Sequence, residues 1–309
     1  MIRVKNLTKY YGKRLAVDNI SFSVEKGEIV GFLGPNAAGK TTTMRILTGF
    51  LAPTQGEAWV AGYNVMSHSL EARQHIGYFA ESVPLYTDMT VRSYLEFLAS
   101  LRGLDKNRIK TRIEDVVEIC NLQEYIDVII GKLSKGFRQR VGVAQTIIHE
   151  PEVLIMDEPT IGIDPIQVAM TRKLIKELSK ERTILLSTHI LPEVSMTCER
   201  VIIIHQGRII AEDRIENLSS MVAGSKRIQL EVEGPSQKVT ERLRQIKGVV
   251  RVRYDGSRYT VEYPAGQDLR SQITQAIVRS GWTLLSLESI EMSLEDIFLK
   301  LTTEEETNQ

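Results

Sequence analysis

Residues 16–24 alternate apolar and polar, with Ile20, Phe22 and Val24 on one parity, which predicts a strand with one buried face. Residues 1–7 alternate more weakly and predict an earlier strand. A turn at 25–28 carries Gly27, and the short apolar run 29–33 predicts a strand ending at Gly34. Apolar residues at helical spacing follow from Thr43. Residues 56–60 and 62–65 read as a hairpin around Ala61 and Gly62. From about Thr90 the period lengthens to 3.6, predicting amphipathic helices over 90–102 and 108–119. A further helix runs from Ser134 to His149 and is stopped by Pro151. Residues 153–156 form an apolar strand that ends in Asp157 and Glu158. A helix over 166–179, a strand over 183–187, a short helix over 191–198 and a strand over 201–206 follow. Strands alternating with helices indicate an α/β unit with a largely parallel sheet.

A second unit begins near Gly224. It reads as strand 226–232, helix 236–245, strands 249–253 and 258–263, helix 268–280 and strand 283–287. That β-α-β-β-α-β order is the ferredoxin-like plan, with Asp255 and Gly256 as the hairpin turn. A short terminal helix is expected over 294–301. The chain thus divides into a unit over 1–218 with a helical subdomain at about 90–148, a linker at 219–223, an accessory α+β unit over 224–301 and a flexible polar tail over 302–309.

Composition narrows the function. The chain has 309 residues, enough for two domains, and 42% hydrophobic residues can fill real cores. The 39 basic residues equal the 39 acidic ones, which argues against a general polyanion binder, so no direct nucleic-acid contact is expected. Two cysteines, Cys120 and Cys198, are too few for a disulfide scaffold and read as reduced cytosolic residues. No apolar run approaches the roughly 20 residues that cross a bilayer, so no intrinsic span is expected. The charged, alternating first ten residues read as a strand, not a leader.

The chemistry lies in two places. Gly34, Pro35, Asn36, Ala37, Ala38, Gly39, Lys40 and Thr41 fit G-x-x-x-x-G-K-[ST] between a strand and a helix, the context a phosphate-binding loop requires. Backbone N–H groups in such a loop, at a helix N-terminus, make an anion site. Lys40 supplies a point charge to the outer phosphates, Thr41 a hydroxyl for Mg²⁺, and Thr42 a cap or phosphate contact. The second place is Asp157 and Glu158 at the C-terminal end of a buried strand, where α/β sheets bind ligands. Successive residues point in different directions, so Asp157 suits Mg²⁺ and Glu158 suits polarising the attacking water. The plain alternative for this pair is a solvated loop after a core strand.

In that order, these motifs resemble the ATPase cassette of ABC transporters over roughly residues 1–218. Leu133-Ser134-Lys135-Gly136-Phe137-Arg138-Gln139-Arg140 looks like the signature usually written LSGGQ. Pro159–Thr160 and Gly162-Ile163-Asp164 look like the D-loop, His189 like the switch histidine, and Tyr11 like the adenine-stacking aromatic. The resemblance implies an α/β P-loop NTPase cassette with an antiparallel β-subdomain and a helical subdomain, plus the small ferredoxin-like domain. It implies ATP and Mg²⁺ as cofactors. Tyr11, residues 34–42, Ser134, Lys135, Gly136 and Asp164 would contact nucleotide; Thr41, Glu81 and Asp157 would serve the metal; Lys40, Glu158 and His189 would be catalytic. The plain alternative for Ser134 is a helix N-cap alone, and for Tyr11 a packing residue of the β-subdomain.

Three departures stand out. Ala37 replaces the usual middle glycine, Lys135 and Phe137 replace Gly and Gln in the signature, and Glu81 replaces Gln after Ile76-Gly77-Tyr78. These resemble the drug-export and gliding-motility branch with a C-terminal extension, as does Ser293-Leu294-Glu295-Asp296-Ile297-Phe298. By resemblance, two cassettes (identical or paralogous) would close head to tail on two ATP molecules and drive a separate multi-span permease from the cytoplasmic face of the membrane. The competing expectation is a soluble ABC-type ATPase acting on ribosomes or nucleic acid. One P-loop and no heptad run weigh against it.

Overall fold

The computed structural model describes residues 1–222, 225–264, 266–290 and Phe298. The chain forms two compact units, Met1–Asp213 and Arg214–Gln309.

In the first unit, β1 (Ile2–Tyr11) and β2 (Arg14–Val24) form a hairpin. Next come β3 (Ile29–Leu33), α1 (Lys40–Leu47), β4 (Gln55–Val60), β5 (Tyr63–Asn64), α2 (Ser69–Gln74) and β6 (Ile76–Phe79). Three helices follow: α3 (Val91–Leu101), α4 (Lys106–Ile119) and α5 (Lys135–Ile147). The unit closes with β7 (Val153–Asp157), α6 (Pro165–Ser179), β8 (Thr183–Thr188), α7 (Leu191–Thr197), β9 (Arg200–His205) and β10 (Arg208–Arg214). One sheet is antiparallel, in the order β2-β1-β4-β5; the other runs β10-β9-β3-β8-β7-β6, with β9, β3, β8, β7 and β6 parallel. Strands β3 and β7 are buried at every residue, as their unbroken apolar runs require. A single core joins the sheets: Ile2, Val4 and Phe22 from one side and Val30, Phe32 and Ile155 from the other, with Met44 and Leu47 of α1 between them.

Polar caps set the helical starts. Thr90, Asp105 and Ser134 are the N-caps of α3, α4 and α5, accepting from the N–H groups of Ser93, Asn107 and Phe137. The elements of this unit absent from the sequence reading are α2, β6 and β10. Strand β10 follows β9 through Gln206 and Gly207, both at positive φ (46° and 83°), the conformation of a tight hairpin turn.

The unit boundary falls at Asp213–Arg214, and the helix α8 (Ile215–Val222) occupies most of the stretch expected to be a linker at 219–223. The second unit continues with β11 (Ser225–Glu233), α9 (Ser236–Arg244), β12 (Arg251–Tyr254), β13 (Tyr259–Pro264), α10 (Arg270–Arg279) and β14 (Thr283–Ile290). Its strand order, β12-β13-β11-β14, and its antiparallel ladders are those of the ferredoxin-like plan. Ile228, Leu230, Val261, Val239 and Ile273 form its separate core. The expected helix at 294–301 and the tail at 302–309 lie outside the described residues except for Phe298, which is helical.

Candidate active site

The loop between β3 and α1 is shaped by contacts that admit no side chain. A Cβ on Gly34 would sit 2.3 Å from the carbonyl oxygen of Ile204. Gly39 holds φ at 108°, and a Cβ there would meet the carbonyl oxygen of Ala16 at 2.7 Å. Ala37 takes φ of 65°. The loop therefore needs a left-handed residue at this point, and alanine supplies it at a cost of about 1 kcal/mol relative to glycine's freedom.

The loop opens onto a cavity of about 440 Å³ lined by Tyr11, Arg14, Ala16, Asn36, Ala37, Gly39, Lys40, Thr41, Thr42, Glu81, Glu158 and Ile161. Lys40 Nζ is buried and donates to the carbonyl oxygens of Gly34 (2.8 Å) and Pro35 (3.1 Å), and it lies 3.3 Å from Glu158 Oε1. Ala38 packs into the core beneath the loop.

Strand β7 delivers the two carboxylates to different tasks. Asp157 is fully buried; its Oδ1 accepts from the Ser187 hydroxyl, and the Thr41 side chain also hydrogen-bonds to it. Its Oδ2 has no hydrogen-bond partner among the described residues. Burial raises the Asp157 carboxyl above its ordinary range, against the lowering effect of the Ser187 and Thr41 hydrogen bonds. A desolvated carboxylate oxygen without a donor, beside a threonine hydroxyl, matches the oxygen chemistry of a hard divalent cation. Glu81 reaches the same cavity and adds a third oxygen donor.

Glu158 turns away at the strand end with φ of 50°. His189 Nδ1 lies 2.9 Å and 3.0 Å from its two carboxylate oxygens, so this nitrogen is the donor, since a carboxylate only accepts. Sequence reasoning missed the support below. Buried Glu193 accepts from the hydroxyls of Thr160 (2.5 Å) and Thr188 (3.3 Å), tying the loop after β7 to the end of β8. An isolated Glu in the first turn of a short helix gives no signal of this.

Ser134, Lys135, Gly136 and Asp164 do not line the cavity. Ser134 caps α5, and Asp164 caps α6 by accepting from Ile166 and Gln167 N–H, both at 3.0 Å. Lys135 lies on a separate groove with Arg138, Gln139 and Ser82, which Glu81 and Ile161 also reach. Cys120 and Cys198 are free and buried, their thiols pushed up to about 12 by burial. No helix among the described residues is long and apolar enough to cross a membrane.

Comparison with known proteins identifies the family. The family profile described as "ABC transporter" matches residues 17–161, and the one described as "ATP-binding protein DrrA1-3-like, C-terminal domain" matches residues 221–302. The chain is 36% identical to the bacitracin transport ATP-binding protein BcrA of Bacillus licheniformis, over 97% of each chain. It is 34% identical to the linearmycin resistance ATP-binding protein LnrL of Bacillus subtilis, over 98% of each. Among solved structures it is similar to an ATP-binding subunit of an ABC transporter (TM-score 0.66, 28% identity, covering 72% of this chain and 92% of that one). It is also similar to cbiO1 of Clostridium perfringens (TM-score 0.65, 27% identity, 71% and 90% covered).

Proposed function

The chain belongs to the ABC transporter ATP-binding family, as an ATP-hydrolysing exporter subunit with a DrrA-like C-terminal domain, and on that premise we propose how its residues share the work. The loop from Gly34 to Thr42 cradles the triphosphate with backbone N–H groups and Lys40, and Tyr11 stacks on the base. Asp157, Thr41 and Glu81 hold Mg²⁺, which when bound neutralises phosphate charge. Glu158 accepts a proton from the attacking water as the new P–O bond forms and the bond to ADP breaks. His189 holds that carboxylate in place through Nδ1–H. Protein groups here chiefly position the reactants and stabilise charge.

One observation carries the assembly: the cradle and Glu158 line one cavity, with His189 bonded to Glu158 and Asp157 buried next to it in the chain, while Ser134, Lys135 and Gly136 do not line that cavity. A serine hydroxyl at a helix N-terminus suits a phosphate, and Ser134 does not line its own chain's cavity. We assign it to the nucleotide of a second cassette, so that ATP closes a head-to-tail pair and hydrolysis releases it. A separate transmembrane permease, met from the cytoplasmic face, would convert that closure into export; transport of an antibiotic-like molecule fits the relatives' names. The test is turnover per subunit against protein concentration. The rate per subunit should rise with concentration until pairing saturates; a constant specific rate from a demonstrably single-copy protein would overturn the assembly.

A further inference from the structure

The cavity holds a cation that no motif explains. Arg14 opens β2 and is paired by register with Tyr11, the last residue of β1. Only Gly12 and Lys13 separate them, and Gly12 takes the φ of 58° that this turn needs. Directly opposed residues on an antiparallel pair keep their Cβ atoms about 5 Å apart, so the two side chains leave the hairpin together. Both line the cavity, with Ala16 at the next position of the same parity.

Glu81 also lines the cavity, and the charges on the neighbouring strand positions and on Glu158 have partners of their own. Lys9 Nζ donates to the Ala52 carbonyl oxygen at 2.6 Å and lies 5.6 Å from the Tyr11 ring centroid, covering one ring face. Asp18 is held by Arg208 at 2.6 Å, and Glu158 by Lys40 and His189. Among the described residues, no carboxylate lies within ion-pair distance of Arg14. A guanidinium without an ion-pair partner therefore lines the cavity beside the aromatic ring, on the strand whose Ala16 carbonyl abuts Gly39 of the phosphate loop. Its planar fork matches phosphate oxygens two at a time.

From this placement we propose that Arg14 is a positioning residue for the α- and β-phosphates of the nucleotide. It would act from the hairpin while Lys40 acts from the loop. One two-residue turn thus sets both the base platform and a phosphate clamp, and fixes the distance between them. This rests on the nucleotide-site reading above. Being next to Tyr11, the clamp serves the end of the triphosphate nearer the base, not the transferred group.

The test uses the full chain with Arg14→Gln, Arg14→Lys and Tyr11→Ala, and two probes: ADP and inorganic pyrophosphate, the latter as a competitor that carries no base. A charge-assisted contact at this strength changes affinity by about tenfold. Arg14→Gln should weaken ADP and pyrophosphate by about that factor and flatten the salt dependence of both. Arg14→Lys should recover part of the loss. Tyr11→Ala should weaken ADP and leave pyrophosphate unchanged. If Arg14→Gln left pyrophosphate within twofold of the parent, or Lys recovered nothing, the clamp would be overturned while nucleotide binding stood. If the unmodified protein bound neither probe, the nucleotide-site reading itself would fall.

Discussion

Lys40 Nζ lies 3.3 Å from Glu158 Oε1, and each side chain is only about one-twentieth exposed (6% and 5%). The lysine that should meet phosphate is thus held by the carboxylate that should receive the water's proton. Its remaining donors are engaged by the Gly34 and Pro35 carbonyls. Nucleotide must draw Lys40 off this buried pair, and the same carboxylate repels incoming phosphate.

Replacing Glu158 with Gln separates these effects. We predict that ATP affinity rises severalfold, because repulsion is gone, while turnover falls at least about 100-fold with the loss of the general base. Calorimetric titration and steady-state phosphate release check the two halves; unchanged turnover at saturating ATP would refute the base assignment.

Asp157 is predicted to trade stability for function. Its carboxyl is raised by burial, so this group's stabilising contribution is present at low pH and is lost as pH rises through its raised folded value. Once deprotonated it is a buried charge with one unpartnered oxygen. Asp157→Asn should therefore raise the nucleotide-free melting temperature by about 2–4 °C, the equivalent of about 1 kcal/mol in a domain of this size. The same change should abolish magnesium-dependent turnover. Thermal unfolding without nucleotide and a metal titration of activity measure both; a lower melting temperature would contradict the electrostatic account.

His149 supplies a pH dependence of opposite sign. Burial pushes its imidazole down to about 4, with Nε2 held 3.0 Å from the Ile76 carbonyl oxygen and Nδ1 unpartnered. The unfolded histidine takes up a proton below about 6.5, whereas the folded one stays neutral until about 4. Stability is thus full above 6.5 and falls as pH drops across that window. Urea unfolding at pH 7.5 and pH 5 should show a loss of about 2 kcal/mol that His149→Gln largely removes. An equal loss in both proteins would place the acid sensitivity elsewhere.

Much of this was legible from residue order. Strand β3 spans the predicted residues, and α3 and α5 begin beside the caps Thr90 and Ser134, because caps and periodicity are local signals. Strand β10 was not, because its turn uses Gln206 at positive φ where Asn or Asp would have announced it. The α8 helix falls where residue composition reads as a connector. At the site, Lys40, Asp157 and Glu158 carry motif spacing. The Glu193 brace and Arg14 carry none: one depends on two loops meeting, the other on cross-strand register. The left-handed φ of Ala37 shows that the loop demands glycine-like backbone even where glycine is missing.

The most direct test of the two-chain site is sedimentation of the Glu158→Gln protein with and without ATP, alone and with Ser134→Arg added. The account predicts a single copy without nucleotide, a pair when ATP is present, and no pair once arginine blocks the α5 N-terminus. A Glu158→Gln protein that bound ATP at full stoichiometry and stayed a single copy, or a pair indifferent to Ser134, would contradict it.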